Sequence, residues 1–207
     1  MSPLPTQLTD RWENREEPNL GEGTIYWHVL FHNEPQLRSL ALLAQKKLAN
    51  FTGLHMTPPN WLHMTVLVAG STNDIAPDQM PSLLDEASKR LSPVKAITAT
   101  LGKVLYHPEA IMLAVEPSEA LQPIREAIKN ATDTVTGKAD GTNHRPWVPH
   151  VTLCYSTSVQ SAEPIIATLG QQLPNCEVSI NTVTLVTQQG PERLWDWHPY
   201  GAVQLRP

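Results

Sequence analysis

The segment LHMTPPNWLHMTVLVAG (residues 54–70) contains Leu-His-Met-Thr twice, eight residues apart, and the two copies keep different chemical company. The first runs into Pro58 and Pro59, which donate no ladder hydrogen bonds and hold Thr57 extended, so it reads as a connector. The second opens the apolar run TVLVAG and reads as a strand ended by Gly70. On a strand, residues i and i+2 point to one face with Cα atoms roughly 6.5 to 7 Å apart. His63 and Thr65 can therefore address neighbouring oxygens of one tetrahedral group. That geometry suits a phosphate.

A further His-x-Thr stands at residues 150–152, again behind a proline and again opening an apolar strand, HVTLCYS. Three such tripeptides occur in a chain with 8 histidines, where average composition gives about one by chance. The tripeptide alone therefore carries little, and context selects His63/Thr65 and His150/Thr152 over His55/Thr57. The two selected pairs lie about half the chain apart, as duplicated halves would place them.

Working outward, GTIYWHVLF (23–31) reads as a strand, and EPQLRSLALLAQKKLANF (34–51) as a helix with Leu37, Leu40, Ala41, Ala44 and Leu48 on one face and Pro35 in its first turn. PSLLDEASKRL (81–91) is a helix closed by Ser92-Pro93. In the second half, AITATLGKVLY (96–106) and AIMLAVEP (110–117) read as strands, and SEALQPIREAIKNAT (118–132) as a helix N-capped by Ser118. EPIIATLGQQL (163–173) is predicted helical, and CEVSINTVTLVTQ (176–188) is predicted as one alternating strand. WDWHPYG (195–201) should form an aromatic turn, and AVQL (202–205) a last short strand. The order strand, helix, His-containing strand, helix, strand occurs twice. It predicts an α+β fold of two similar lobes, each a mostly antiparallel sheet backed by helices.

With 207 residues, 41% of them hydrophobic, the chain can bury one sizeable core. Residues 21–207 are predicted to form a single bilobal domain, and 1–20 a loose tail or edge-covering arm to which no role is assigned. No apolar run approaches the roughly 20 residues a bilayer span needs, and the N-terminus has no apolar leader core, so a cytoplasmic monomer without membrane contact is expected. The charge of −5 and basic runs of no more than two residues argue against extended duplex binding. Cys154 and Cys176 read as buried reduced thiols.

WLHMTV and PHVTLCYS, one in each half, resemble the paired His-x-Thr motifs of the 2H phosphoesterase superfamily, in particular its 2′-5′ RNA ligase and cyclic phosphodiesterase branch. Motif order and strand-helix pattern extend the resemblance over residues 23–205. It implies a bilobal fold whose motif strands face each other across a central cleft, with His63 and His150 as the catalytic pair and Thr65 and Thr152 holding phosphate. No cluster of basic residues suited to clamping long RNA accompanies the motifs.

The chemistry follows from the residue types. Opening a 2′,3′-cyclic phosphate needs a base for water, an acid for the leaving ribose oxygen, and donors to the non-bridging oxygens. One neutral and one protonated imidazole on opposite sides of phosphorus supply both proton transfers, and two hydroxyls supply the donors. Which histidine takes which role stays open, and the roles exchange when the reaction runs in reverse. No metal or other cofactor is expected: His28 and His32 are four apart, but on a strand that spacing is roughly 13 Å. His28 could reach substrate from a neighbouring strand, and Trp61, two before His63, could stack a base. Tyr155, Arg145 and His144 flank the second motif and are further candidate contacts. Cys154 shares the predicted strand face of His150 but lies too far along it for a nucleophilic pair. The expected substrate is a 2′,3′-cyclic phosphate on a nucleotide or an RNA end. Two alternatives stay open, a hydrolase of another cyclic phosphate and a silent module that binds nucleotides or RNA ends without turnover.

Overall fold

The computed structural model describes residues 4–19, 21–137 and 146–207. His144 and Arg145 lie outside the described residues. In chain order the elements are β1 (Gln7–Leu8), β2 (Gly23–Leu30), α1 (Pro35–Leu48), β3 (Leu54–Met56), β4 (His63–Ser71), α2 (Gln79–Leu91), β5 (Ile97–His107) and β6 (Ala110–Ala114). There follow α3 (Gln122–Thr136), β7 (His150–Ser156), β8 (Gln160–Ser161), α4 (Glu163–Leu169), β9 (Gln172–Ile180), β10 (Thr182–Gln189) and β11 (Trp197–Gln204). The strands form a four-stranded sheet, β11-β10-β2-β4, a five-stranded sheet, β3-β7-β6-β5-β9, and the small pair β1-β8. Every pairing among these strands is antiparallel.

The fold is thus α+β with two main sheets, and each motif strand belongs to a different one: β4 edges the four-stranded sheet and β7 lies inside the five-stranded sheet. The halves of the chain, however, exchange elements. α1, from the first half, packs on β7 and β9, while α3, from the second half, packs on α2 and β4. The last two strands, β10 and β11, return to extend the sheet begun by β2 and β4. Periodicity identifies each element but not the sheet it joins.

The apolar face of α1 is as predicted: Leu37, Leu40, Ala41, Ala44 and Leu48 are all buried, and Pro35 occupies the first turn, where its missing N–H costs no helical bond. α3 is fixed to the sheet beneath it by the buried indole N–H of Trp27, which donates to Thr132 Oγ1 at 3.1 Å. Arg125 Nη1 adds a bond to the Val66 carbonyl at 2.9 Å.

Several boundaries differ from expectation. The run 176–188 is two strands, because the chain passes from one sheet to the other at Asn181: Cys176, Val178 and Ile180 alternate inward before it, whereas Val183, Thr184, Leu185 and Val186 are all buried after it. α4 stops at Leu169, where Gly170 takes a positive φ of 78°, and β9 begins soon after. Ser118 does not cap α3: a 3-10 turn, Ser118–Leu121, precedes the helix, and the serine hydroxyl points to the Glu119 carboxylate. WDWHPYG is no turn either, since from Trp197 it forms the start of β11. The first Leu-His-Met-Thr is more than a connector, forming the edge strand β3 against β7 before Pro58 ends it.

The N-terminal arm is stitched to the five-stranded lobe. β1 pairs with β8, Leu8 is fully buried, and the amides of Thr9 and Arg11 donate to Pro108 and Ser156. Among the described residues no helix is long and apolar enough to cross a membrane.

Candidate active site

Both motif strands break their alternation at the same place. Thr65 pairs with His28 and Leu67 with Trp27, so Val66 is an extra residue in β4. Thr152 pairs with Met112 and Cys154 with Ile111, so Leu153 is the equivalent extra residue in β7. A bulge reverses which face the following residues take. Val68 and Tyr155, each three residues after its threonine, therefore return to the side of the motif histidine, and both line one cleft with His63, Thr65, His150 and Thr152. Cys154, expected on the face of His150, is turned into the core and is 0% exposed.

The two histidines are held alike. His63 Nδ1 lies 2.9 Å from the Trp61 carbonyl oxygen, and His150 Nδ1 lies 2.7 Å from that of Val148. A carbonyl can only accept, so each Nδ1 carries the hydrogen and each Nε2 is left for a ligand. In the lead-in WLH, Trp61 ends a 3-10 turn and Leu62 is extended (φ −62°, ψ 127°), which sets the Trp61 oxygen beside the ring; in VPH, Val148 supplies the equivalent carbonyl.

Burial drives the titration of the site. His63 is pulled from 6.5 down to about 4, mainly by desolvation and also by His150, against the opposing pull of its bond to Trp61 and of Glu192. His150 is also lowered by burial, with Arg11 and His107 adding to the effect and its bond to Val148 opposing it. His28, 1% exposed, stacks on His63 with ring centroids 4.4 Å apart. Burial first, and His63 second, hold it well below its ordinary value. Its Nε2 lies 3.2 Å from Thr65 Oγ1.

The cleft, about 390 Å³ in volume, is walled by aromatic rings. Trp197 stands edge-on to His63 at 4.2 Å, and Trp195 stacks on Tyr155 at 6.0 Å. Trp12, from the arm, meets Tyr155 and His55 edge-to-face at 5.6 and 5.5 Å. Trp61 does not serve as the expected platform: its ring packs against Trp197 at 5.3 Å outside the cleft lining, and its contribution is the carbonyl that orients His63.

Arg11 clamps Glu192 with two bonds, Nε to Oε2 at 2.8 Å and Nη2 to Oε1 at 2.9 Å, while its guanidinium lies 4.2 Å over the Tyr155 ring. Glu192 also accepts the Tyr155 hydroxyl at 3.3 Å. Arg15 pairs with Glu109, and Arg193 with Glu17 at 2.9 Å, so ion pairs bind the arm to both the five-stranded lobe and the segment before β11. The arm had no role on sequence grounds. Of the other cleft-lining residues, Arg11, Trp12 and Glu192 carry no sequence signal beyond a tryptophan beside an arginine in an otherwise aperiodic segment, while Trp195 and Trp197 lie in the aromatic run WDWHPYG, whose place in the cleft its pattern does not show. Among the described residues five charged groups line the cleft: Arg11, Arg15, Glu16, Glu17 and Glu192.

The family model of the 2'-5' RNA ligase superfamily matches residues 23–192. TT0787 of Thermus thermophilus superposes with a TM-score of 0.67 at 17% identity, covering 88% of this chain and 98% of that protein. LigT of E. coli, crystallised with ATP, gives 0.66 at 14% identity over 90% of this chain and 99% of LigT. LigT has also been crystallised with 3'-AMP, NADP+ and phosphate. ATU0111 from Agrobacterium tumefaciens, a conserved protein of unknown function, aligns at 14% identity over 81% of each chain with a TM-score of 0.52. No curated protein matches the sequence. At such identities the structures speak for the fold, and the family match, which takes in both motif strands and the clamp carboxylate Glu192, goes further: the chain belongs to the 2'-5' RNA ligase superfamily.

Proposed function

We propose that this protein is a monomeric, cytoplasmic, metal-independent phosphodiesterase that opens 2′,3′-cyclic phosphates of nucleotides or short RNA ends. The observation that carries the reading is the matched pair of imidazoles, each with Nδ1 tied to a backbone carbonyl and Nε2 left for a ligand in one cleft. One Nε2 takes the proton of the attacking water while the other, protonated, delivers a proton to the departing ribose oxygen. Attack and departure lie roughly in line, so the two rings act from opposite sides of phosphorus. Thr65 and Thr152 donate to the non-bridging oxygens as charge builds on them. With the 5′-hydroxyl of a second ribose attacking in place of water and the 3′-oxygen leaving, the same ring opening makes a 2′-5′ linkage, and its reversal, with the proton roles exchanged, re-forms the cyclic phosphate.

The aromatic walls suit a nucleobase, and a fold relative has been crystallised with adenine nucleotides and phosphate. Three carboxylates against two guanidiniums in the lining favour a substrate with a single negative charge over a polyanion. Nucleoside 2′,3′-cyclic phosphates are therefore the first substrates to try. In EDTA, wild-type protein should open them, and His63→Ala and His150→Ala should each lose about a hundred- to ten-thousandfold in kcat. Saturable binding without product would instead establish a nucleotide-binding module.

A further inference from the structure

His28 belongs to neither motif, yet it is the most enclosed polar side chain of the cleft, 1% exposed and in ring contact with His63, Tyr26 and Trp197. One of its two nitrogens meets Thr65 Oγ1 at 3.2 Å; the other, Nδ1, is buried without a partner among the described residues. Desolvation keeps the ring neutral, so it carries one hydrogen, and the two tautomers have opposite consequences for Thr65. With the hydrogen on Nδ1, a donor would be orphaned in the core, and Nε2 would draw the threonine hydroxyl proton toward β2. With the hydrogen on Nε2, the buried atom left over is a bare acceptor, a better tolerated defect than an orphaned N–H. The Thr65 hydroxyl then receives one bond and has its own proton free for the cleft.

We infer that His28 is a positioning residue whose Nε2–H fixes the Thr65 hydroxyl as a donor to the substrate phosphate. It acts through Thr65 and through its stack on His63, and it does not touch the reacting atoms. The motif histidines carry the hydrogen on Nδ1 and His28 carries it on Nε2, so the cleft holds two imidazoles set to exchange protons and a third set to orient a hydroxyl. The inference rests on the cyclic-phosphodiester reading for its catalytic meaning, while its structural content can be tested apart from turnover.

The test begins with ¹⁵N-histidine-labelled wild-type protein at pH 7, where imidazole nitrogen shifts and couplings report the tautomer. His28 should show the Nε2–H form, and His63 and His150 the Nδ1–H form; an Nδ1–H tautomer at His28 overturns the inference. Inorganic phosphate is then titrated into wild type, Thr65→Val, His28→Leu and the double variant. Loss of one hydrogen bond to an anion predicts about a tenfold weakening in each single variant and little more in the double, since both act through one hydroxyl. Losses that multiply overturn the inference. His28→Gln, which restores an amide donor, should recover most of the affinity and, where wild type turns over, more of kcat than His28→Leu does; Gln no better than Leu argues against positioning. Wild type that binds phosphate but opens no cyclic phosphate would sink the hydrolase reading and leave the tautomer and coupling results to decide the role of His28.

Discussion

His63 and His150 present the same ring nitrogen to the cleft, because each ties its Nδ1 to the carbonyl two residues upstream, at 2.9 and 2.7 Å. Both rings are also shifted the same way by burial, His63 to about 4 and His150 to below 6.5. Two-histidine catalysis needs one ring neutral and one protonated. The product of those fractions peaks between the two pKa values and falls about tenfold per pH unit above the higher one. Whichever ring is the base, kcat/KM for a nucleoside 2′,3′-cyclic phosphate should peak below pH 6.5. Initial rates from pH 4 to 9 check this, and a plateau extending to pH 8 would contradict it.

The same shift has a stability consequence. A histidine at 6.5 unfolded and about 4 folded binds more protons in the unfolded chain throughout that window. Its neutral-state stability is therefore fully present above 6.5 and is lost as pH falls toward 4, on the order of 3 kcal/mol. Urea unfolding of wild type and His63→Gln at pH 7 and 4.5 isolates the term. Wild type should lose more stability on acidification than the variant, and parallel losses would show that His63 titrates normally.

Much of the frame was legible. The spacing of Leu37, Leu40, Ala41, Ala44 and Leu48 located a helix and its buried face, and the proline-led apolar runs located both motif strands. Residue patterns record which face is wet, but not which partner a strand takes. Hence the switch of sheets at Asn181, the exchange of α1 and α3 between lobes, and the arm over the cleft were all invisible. The bulges at Val66 and Leu153 are the sharpest case. Strict alternation groups His150, Thr152 and Cys154, whereas one extra residue substitutes Tyr155 for Cys154.

That substitution can be checked chemically. Cys154 is 0% exposed, and burial pushes its thiol up to about 12, against a modest pull from the Ile111 backbone. Cys176 is 4% exposed. Native protein should show no thiol reactive to a disulfide reagent and two after unfolding in urea. Cys154→Ala should leave kcat unchanged while costing about 1 kcal/mol in stability from the small void it leaves in the core. A folded Cys154→Ala protein with kcat reduced tenfold would place the cysteine on the catalytic face and refute the bulge.

Arg11 links the arm to stability and to the titration of His150. Its clamp on Glu192 is partly buried, with side-chain exposures of 16% and 30%, so Arg11→Met strands a carboxylate against Tyr155 and should cost about 2 kcal/mol. Arg11→Met combined with Glu192→Gln removes the stranded charge and should recover much of that loss, which thermal or urea unfolding will measure. The electrostatic consequence has a definite sign. Arg11 is one of the charges that lower His150, so its removal lets the His150 pKa rise and moves to higher pH the limb of the kcat/KM profile that His150 sets. If the limb stays fixed while stability falls, the arm is an architectural strap whose charge His150 does not sense. If both move, a segment that carries no recognisable motif sets the proton affinity of a catalytic histidine.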